Sequence, residues 1–329
     1  MKPKALITAA LLKDFPGPHL EILERGGFDV VLPDRWPHQM VEKEILAIIP
    51  GYAAVLAGSE PYTARVFDAA PSLRVVARLG VGHDAISKEE ATKHGVAVTI
   101  AVGGNHESVA EHAFALILGL YKQVLPTMAG LKRGEWMRAV TTPLRGKTLG
   151  IIGLGRIGKA MVPRAHAFRL KILAADIAPD HEFIRKHGIE LVSQEELLRR
   201  SDIVSVHVPS TRQTRHLICA ATLSQMKPTA FIINTARGGV LCEPDLMQAL
   251  KNRQIAGAGL DVYAEEPMES GHALLEFENV LMTPHTAGTD EQARWDMARL
   301  AAQSIVDLKE GRWPAEQVVN AEVKPAWQW

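Results

Sequence analysis

Cysteine is nearly absent from this sequence, which contains only Cys219 and Cys242. Two isolated cysteines are too few for a disulfide framework or for a cysteine-rich metal site. The sequence therefore predicts no bound metal, and it favours the reducing cytoplasm as the compartment in which the chain works.

Net charge is absent as well, because 37 basic side chains balance 37 acidic ones. Proteins that bind nucleic acid or an anionic membrane surface need a positive field to attract those partners. The sequence therefore predicts neither a nucleic acid nor a membrane as a partner.

Long apolar runs are missing too. The longest, AFALILGL at residues 113–120, is far shorter than the roughly 20 residues that span a bilayer. Near the N-terminus a short apolar run follows two lysines, as in a signal peptide, but it ends at Lys13 and Asp14 and no small-residue cleavage site follows. We therefore expect a buried first strand there rather than a signal peptide.

What the sequence does contain is a regular alternation of short apolar runs with amphipathic stretches. Its 329 residues, 47% of them hydrophobic, suffice for about two domains. The alternation over residues 4–100, and again over residues 148–283, is typical of parallel strands covered by helices. The predicted fold class is therefore α/β, with two doubly wound parallel-sheet domains.

Two longer helices are expected outside these series. Residues 103–124 predict one helix with a buried stripe, and a second helix of about 20 residues follows residue 290 and ends at Gly311 and Pro314. Because the second series is complete by residue 289, we assign the last helix to the first domain. The predicted domains are 1–101 with 290–329, and an inserted domain, 102–289.

The inserted domain contains GLGRIG between a predicted strand and a predicted helix. Gly153 permits a tight turn, Gly155 lets the backbone approach a pyrophosphate, and Gly158 lets helix and strand pack closely. The helix N-terminus offers N–H groups to the anion, and Arg156 adds positive charge. The next strand ends in Asp176, which suits a ribose diol and repels a 2′-phosphate. We predict NAD as the cofactor, the alternative being a purely structural glycine turn.

Dehydrogenation of an alcohol also needs a base that titrates near neutral pH, and histidine is the first candidate. His285 follows a predicted strand at the edge where an open α/β sheet places its ligand. Arg237 follows another strand and suits a carboxylate. A third strand leads to Asp261, Glu265 and Glu266, one of which would pair with His285. Each residue alone also has a purely structural interpretation. His285 could be a hydrogen-bonded core histidine, Arg237 a member of a surface ion pair, and Glu266 a solvated acid in a loop.

Most other histidines are expected to have no catalytic role. Six of them lie in polar or amphipathic stretches and are predicted to be solvated surface residues: His19, His38, His94, His166, His181 and His187.

Four motifs in order, GLGRIG with Asp176, NTARGG, GLDVYAEEP and TPHTAG, closely resemble those of the NAD-dependent D-2-hydroxyacid dehydrogenases. The resemblance implies a Rossmann cofactor domain inserted into a flavodoxin-like substrate domain, and usually a homodimer. It also implies that Arg237 binds the substrate carboxylate and carbonyl and that His285 is the acid/base. Glu266, the glutamate directly before proline, would pair with His285 and favour its protonated form.

The same resemblance implies further binding residues. Around the dinucleotide it points to Arg156, Ile157, Val208, Pro209 and Thr235, with Asp261 on the nicotinamide carboxamide. On the substrate it points to the backbone N–H groups of Val81 and Gly82 as an anion nest, and to Arg78 and Asn105.

Within the family the sequence looks most like phosphoglycerate dehydrogenases and their short relatives, so the substrate is a small 2-hydroxy or 2-oxo acid, with 3-phosphoglycerate one possibility. The side chain of Arg78 suits a phosphate group on the substrate, and the alternative is that it forms an ordinary salt bridge. The loop Ala57-Gly58-Ser59 lacks the basic residue that some phosphoglycerate dehydrogenases carry, and no regulatory domain follows. Glyoxylate, hydroxypyruvate or another sugar-acid-derived 2-oxo acid is the alternative substrate.

Two other classes of function compete. An NAD-sensing module that binds protein partners would retain the same motifs, but its relatives usually carry extra tails. An S-adenosylmethionine-dependent methyltransferase would explain the glycine turn and the acid, but not Arg237, Glu266 and His285.

Overall fold

The chain forms two compact units in a computed structural model that describes residues 2–34 and 40–329. Unit 1 comprises Met1–Asn105 and Thr289–Trp329, and unit 2 comprises His106–Gly288. Their borders lie one to four residues from those expected from the sequence. His38, for which a surface position was predicted, lies outside the described residues.

The secondary structure alternates along both units. The strands of the described chain are β1 (Lys4–Ile7), β2 (Asp29–Val31), β3 (Ala54–Ala57), β4 (Val75–Arg78), β5 (Ala97–Ile100), β6 (Thr148–Ile152), β7 (Lys171–Ala175), β8 (Glu190–Leu191), β9 (Ile203–Val206), β10 (Phe231–Asn234), β11 (Gly257–Leu260) and β12 (Val280–Met282). The α-helices are α1 (Pro18–Arg25), α2 (Glu42–Ile48), α3 (Ala64–Asp68), α4 (Lys88–Lys93), α5 (His106–Tyr121), α6 (Val124–Lys132), α7 (Arg156–Ala167), α8 (His181–Lys186), α9 (Gln194–Arg200), α10 (Ala220–Leu223), α11 (Glu243–Lys251) and α12 (Glu291–Lys309).

Unit 1 is built on a parallel sheet with the strand order β2-β1-β3-β4-β5. Successive residues of a strand point to opposite faces, and Ile7 accordingly packs with Leu23 of α1 and Ile305 of α12, whereas Leu6 packs with Ile45 of α2 on the other face. This order is the flavodoxin-like one. The sheet is therefore covered by helices on both faces, as predicted.

Unit 2 is built on a second parallel sheet, with the order β12-β11-β10-β9-β6-β7-β8. Ile151 packs with Ile117 of α5, and Ile152 packs with Leu246 of α11 on the opposite face. The direction in which strands are added reverses between β6 and β9, which is where a Rossmann sheet binds its ligand. The predicted fold class is confirmed for both sheets.

The helix expected at residues 103–124 is α5, and its stripe from Val109 to Tyr121 is buried apart from the half-buried Leu120. The chain then turns at Gln123, which has a left-handed φ of 50°, into α6, which the apolar pattern did not predict. Among the described residues no single helix is long and apolar enough to cross a membrane. The pair α5 and α6 meets that criterion jointly, with a bend of 59°.

One expectation about a surface residue was wrong. His19 is buried in α1, because it lies four residues before Leu23 on the same inward face, and it stacks on Phe15 at 6.0 Å. Burial lowers its pKa to about 4. Trp327 in the C-terminal tail is half-buried, and its Nε1 donates a hydrogen bond of 3.1 Å to the carbonyl of Arg74.

Candidate active site

The turn between β6 and α7 has room for a ligand at one glycine and close packing at the other two. Gly153 has φ 92°, and a Cβ there would lie 2.6 Å from the carbonyl oxygen of His207. A Cβ on Gly158 would lie 2.2 Å from the oxygen of Gly153, whereas around Gly155 nothing lies within 4 Å. The backbone is therefore open at Gly155, the position where the motif brings it to a pyrophosphate.

The other predicted cofactor residues follow the carboxyl ends of the strands beside this turn. Asp176 follows β7 and accepts hydrogen bonds from the N–H groups of Leu154, at 2.6 Å, and Ala178, at 2.7 Å. Gly155 caps α7 without a side-chain hydrogen bond, so the first N–H groups of that helix are open to an anion. Arg156 and Ile157 begin α7, and Val208 and Pro209 follow β9.

Thr235, directly after β10, is buried, and its Oγ1 has no hydrogen-bond partner among the described residues. A buried hydroxyl normally has such a partner. The unsatisfied oxygen, together with the open backbone at Gly155, fits a dinucleotide bound along this edge of the sheet.

Arg237 lies three residues beyond the end of β10, and its loop packs against the loop that follows β11. Gly238 makes this approach possible, because a Cβ at that position would lie 1.8 Å from the carbonyl oxygen of Tyr263. The half-buried Arg237 donates from Nη1 to the carbonyl of Ala236 at 2.6 Å. A single glycine thus allows the loops of Arg237 and Glu266 to meet.

Glu266 and His285 form a close pair in unit 2. Nδ1 of His285 lies 2.6 Å from Oε2 of Glu266, and Oε1 of Glu266 accepts the N–H of Tyr263 at 2.9 Å. Burial alone would raise the pKa of Glu266, but the hydrogen bonds from His285 and Tyr263 and the charges of His285 and Arg237 lower it below its ordinary value. Glu266 is therefore ionised at neutral pH.

Asp261 supports the turn that carries His285. Its side chain is only 1% exposed, and its oxygens accept hydrogen bonds from Thr283 Oγ1 (2.5 Å) and from the N–H groups of Thr286 and Ala287 (both 2.9 Å). Its backbone carbonyl accepts the N–H of His285 at 2.8 Å. The contact of Asp261 with a nicotinamide carboxamide stays a prediction, since here both carboxylate oxygens hold the turn.

The remaining residues predicted to contact substrate, Arg78, Val81, Gly82 and Asn105, lie in unit 1. Arg78 ends β4, Val81 and Gly82 lie in the loop that follows it, and Asn105 directly precedes α5. The guanidinium of Arg78 lies over Gly80, where a Cβ would come within 2.2 Å of Nη1. Their roles stay predictions.

Three polar residues near His285 were missed by the sequence analysis. Tyr263 donates its hydroxyl to the carbonyl of Thr283 at 2.9 Å, and Ser108 and His112 of α5 contact the same turn. A signal was present, because Ser108 and His112 are polar residues four positions apart on an otherwise apolar helix face.

Comparison with known proteins identifies the group to which these motifs belong. The family model described as "D-isomer specific 2-hydroxyacid dehydrogenase, NAD binding domain" matches residues 114–287. The chain belongs to this dehydrogenase family. Members of the D-isomer-specific 2-hydroxyacid dehydrogenases are NAD-dependent oxidoreductases, so NAD is the cofactor and the predicted enzyme class is confirmed.

Relatives span nearly the whole chain. A glyoxylate reductase of Korarchaeum cryptofilum is 38% identical over 330 residues, which cover 98% of this chain and 97% of the relative. A D-3-phosphoglycerate dehydrogenase of Archaeoglobus fulgidus is 37% identical over 284 residues, or 85% of this chain and 54% of the relative. The structure of D-lactate dehydrogenase from Aquifex aeolicus with NAD and lactic acid has a TM-score of 0.84 and 25% identity, covering 96% of this chain and 99% of that one.

Replacing Gly238 by alanine should separate the two catalytic loops. We expect kcat to fall about 100-fold, because a misplacement of about 1 Å at a reacting group costs that much. Gly239→Ala is the matched control, since its Cβ would meet only Ser210 Oγ at an ordinary 3.6 Å. Steady-state kinetics and circular dichroism of both variants check this. Equal activities in the two variants would show that the contact with Tyr263 does not set the site geometry.

Proposed function

We propose that Arg237, Glu266 and His285 catalyse the reduction of a small 2-oxo acid to the D-2-hydroxy acid, and the reverse oxidation. The observation that carries this proposal is the 2.6 Å contact between His285 Nδ1 and Glu266. It leaves Nε2 as the nitrogen that exchanges a proton with substrate, on a side chain that is 47% exposed. Arg237, beside the pair, holds the substrate carboxylate through parallel hydrogen bonds.

Bound NADH supplies a hydride to the carbonyl carbon. His285 donates the accompanying proton to the carbonyl oxygen, and in the oxidative direction it accepts the hydroxyl proton. The ionised Glu266 stabilises the protonated imidazole and fixes its orientation. In this proposal unit 2 is the NAD-binding domain and unit 1, with Arg78, Val81, Gly82 and Asn105, binds substrate.

We propose glyoxylate or hydroxypyruvate, rather than a phosphorylated acid, as the substrate class. Support comes from the full-length match to a glyoxylate reductase, whereas the phosphoglycerate dehydrogenase matches over 54% of its length. The loop after β3 adds support, since Ala57-Gly58-Ser59 lacks a basic residue that would bind a phosphate and the N–H of Gly58 is donated to the buried Glu60 at 2.9 Å. Arg78 is the observation that favours the alternative, 3-phosphoglycerate.

The decisive experiment follows NADH oxidation with glyoxylate, hydroxypyruvate, 3-phosphohydroxypyruvate, pyruvate and phenylpyruvate, with NADPH in parallel. We expect turnover of the first two with NADH, and in His285→Ala a kcat lower by about 10²- to 10⁴-fold with NADH binding intact. Preference for 3-phosphohydroxypyruvate would reverse the substrate proposal. NADH binding without turnover of any acid would favour a sensing protein instead.

The pH dependence of reduction tests the role of Glu266. Its pKa lies below the ordinary carboxyl value, so in the wild-type enzyme Glu266 stays ionised beside the His285 ring throughout the neutral range. In Glu266→Gln the protonated imidazole loses its counter-charge, and we expect the alkaline limb of the kcat profile to move at least about one pH unit lower. The profile is measured from pH 4.5 to 10. An alkaline limb at the wild-type position would show that Glu266 does not act through the charge of His285.

We further propose that the protein is a cytoplasmic homodimer. Both cysteines are free thiols, as suits a reducing compartment. An apolar surface on α6 and the loop after it, here called the α6 patch, consists of exposed residues Val124, Leu125, Met128, Leu131, Trp136, Met137 and Val140. Contiguous exposed apolar side chains of this kind mark an interface, and we assign it to a second copy of the chain.

Light scattering after size-exclusion chromatography should give twice the chain mass of 35.9 kDa. Leu131→Glu should convert the protein to monomers, because it buries a charge in the interface. Leu275→Glu is the control, since both leucines are 56% exposed and only Leu131 belongs to the α6 patch. A wild-type monomer, or a dimer that survives Leu131→Glu, would contradict the assignment.

A further inference from the structure

The turn that carries His285 is held at both ends by one helix. Ser108 of α5 donates its hydroxyl to the carbonyl of Ala287 at 2.8 Å, and His112, one helical turn later, places Nε2 2.8 Å from Oγ1 of Thr283. Residues four positions apart lie on the same face of a helix. Thus α5 contacts the turn on each side of the catalytic histidine.

The hydrogen-bond donors along this chain of contacts can be assigned. A threonine hydroxyl has one proton, and that of Thr283 is donated to Asp261 Oδ1 at 2.5 Å. The contact between His112 and Thr283 therefore requires that His112 donates from Nε2. The same nitrogen lies 3.7 Å from Asp261 Oδ1, beyond hydrogen-bond distance, so His112 supports the buried carboxylate through Thr283.

The backbone of His285 needs this support. Its φ of 53° lies in the left-handed region, which non-glycine residues occupy only when their surroundings over-determine it. The N–H groups of His285, Thr286 and Ala287 all donate to Asp261, the first to its carbonyl and the others to its carboxylate. Asp261 thus sets the conformation of the turn, and His112 helps to hold Asp261 in place.

We propose that His112 is a positioning residue for the reaction. It contacts neither Glu266 nor His285 in any described hydrogen bond, and it acts through Thr283 and Asp261 to hold the His285 ring on Glu266. This inference rests on the proposed role of His285 as the acid/base.

The test compares variants of both ends of the His112–Thr283 contact. His112→Leu removes the donor, and we expect kcat to fall about 10- to 100-fold, with the Kd of NADH and the melting temperature close to wild type. His112→Gln, whose amide nitrogen can replace Nε2, should restore most of kcat. Thr283→Val should resemble His112→Leu, and Thr283→Ser should resemble wild type.

The double variant His112→Leu/Thr283→Val separates positioning from a general loss of stability. If both residues act through one chain of hydrogen bonds, the double variant loses no more kcat than the worse single variant. If the losses of kcat in the two single variants multiply in the double variant, the proposal is overturned. An unchanged kcat in His112→Leu would also overturn it. The proposal is also overturned if the loss of kcat among the variants parallels their loss of melting temperature and His112→Gln does not restore kcat. If His112→Leu does not fold, the comparison of kcat between Thr283→Val and Thr283→Ser still tests the proposal.

Two further variants identify which proposal has failed. His285→Ala retains turnover only if the proposed function is wrong, whatever the result at position 112. Loss of turnover in His285→Ala with full activity in His112→Leu overturns this inference alone. His181→Leu, an exposed histidine at the start of α8, is the matched control and should have wild-type kcat.

Discussion

The geometry of the proposed active site in unit 2 depends on one buried carboxylate. The carboxylate of Asp261 accepts three hydrogen bonds from the turn that carries His285, and hydrogen bonds to charged groups contribute about 1.5–3 kcal/mol each. The left-handed conformation of His285 costs about 1–3 kcal/mol. The hydrogen bonds therefore outweigh the strain, and a residue that would relax in an isolated peptide is fixed with its ring on Glu266.

The glycines of the site act by the absence of a side chain rather than by flexibility. Gly158 packs on Gly153 beneath the turn between β6 and α7, and Gly238 packs on the backbone of Tyr263 between the loops that carry Arg237 and Glu266. In each place the two backbones are closer than any Cβ allows. The sheet brings the strand ends together, and these glycines then let the connecting loops come within reach of one another.

Much of the fold, and the positions of the candidate site residues at strand ends, could be predicted from the sequence because they follow local rules. Strand and helix alternation indicated both sheets, and residues at strand ends, such as Asp176 and His285, were identified by position. The features that were missed depend on tertiary contacts. The burial of His19 results from the face of α1 that turns inward, and the hydrogen bond of Trp327 joins it to Arg74, far away in the sequence. The support of His285 by α5 depends likewise on residues more than 170 positions apart.

Unit 1 is assembled from two separate stretches of chain, and this affects the order in which the protein matures during synthesis. Its core joins β1 and β4 to Met297 and Ile305 of α12, and Asn320 binds the backbone of β5. The strands of unit 1 are translated before unit 2, yet unit 1 stays unfinished until α12 and Asn320 have been translated. Unit 2 has all its strands once Met282 has been made. The domain that begins later in the chain is thus the first that can fold completely, while the strands of unit 1 wait with one apolar face uncovered, a state in which nascent chains aggregate.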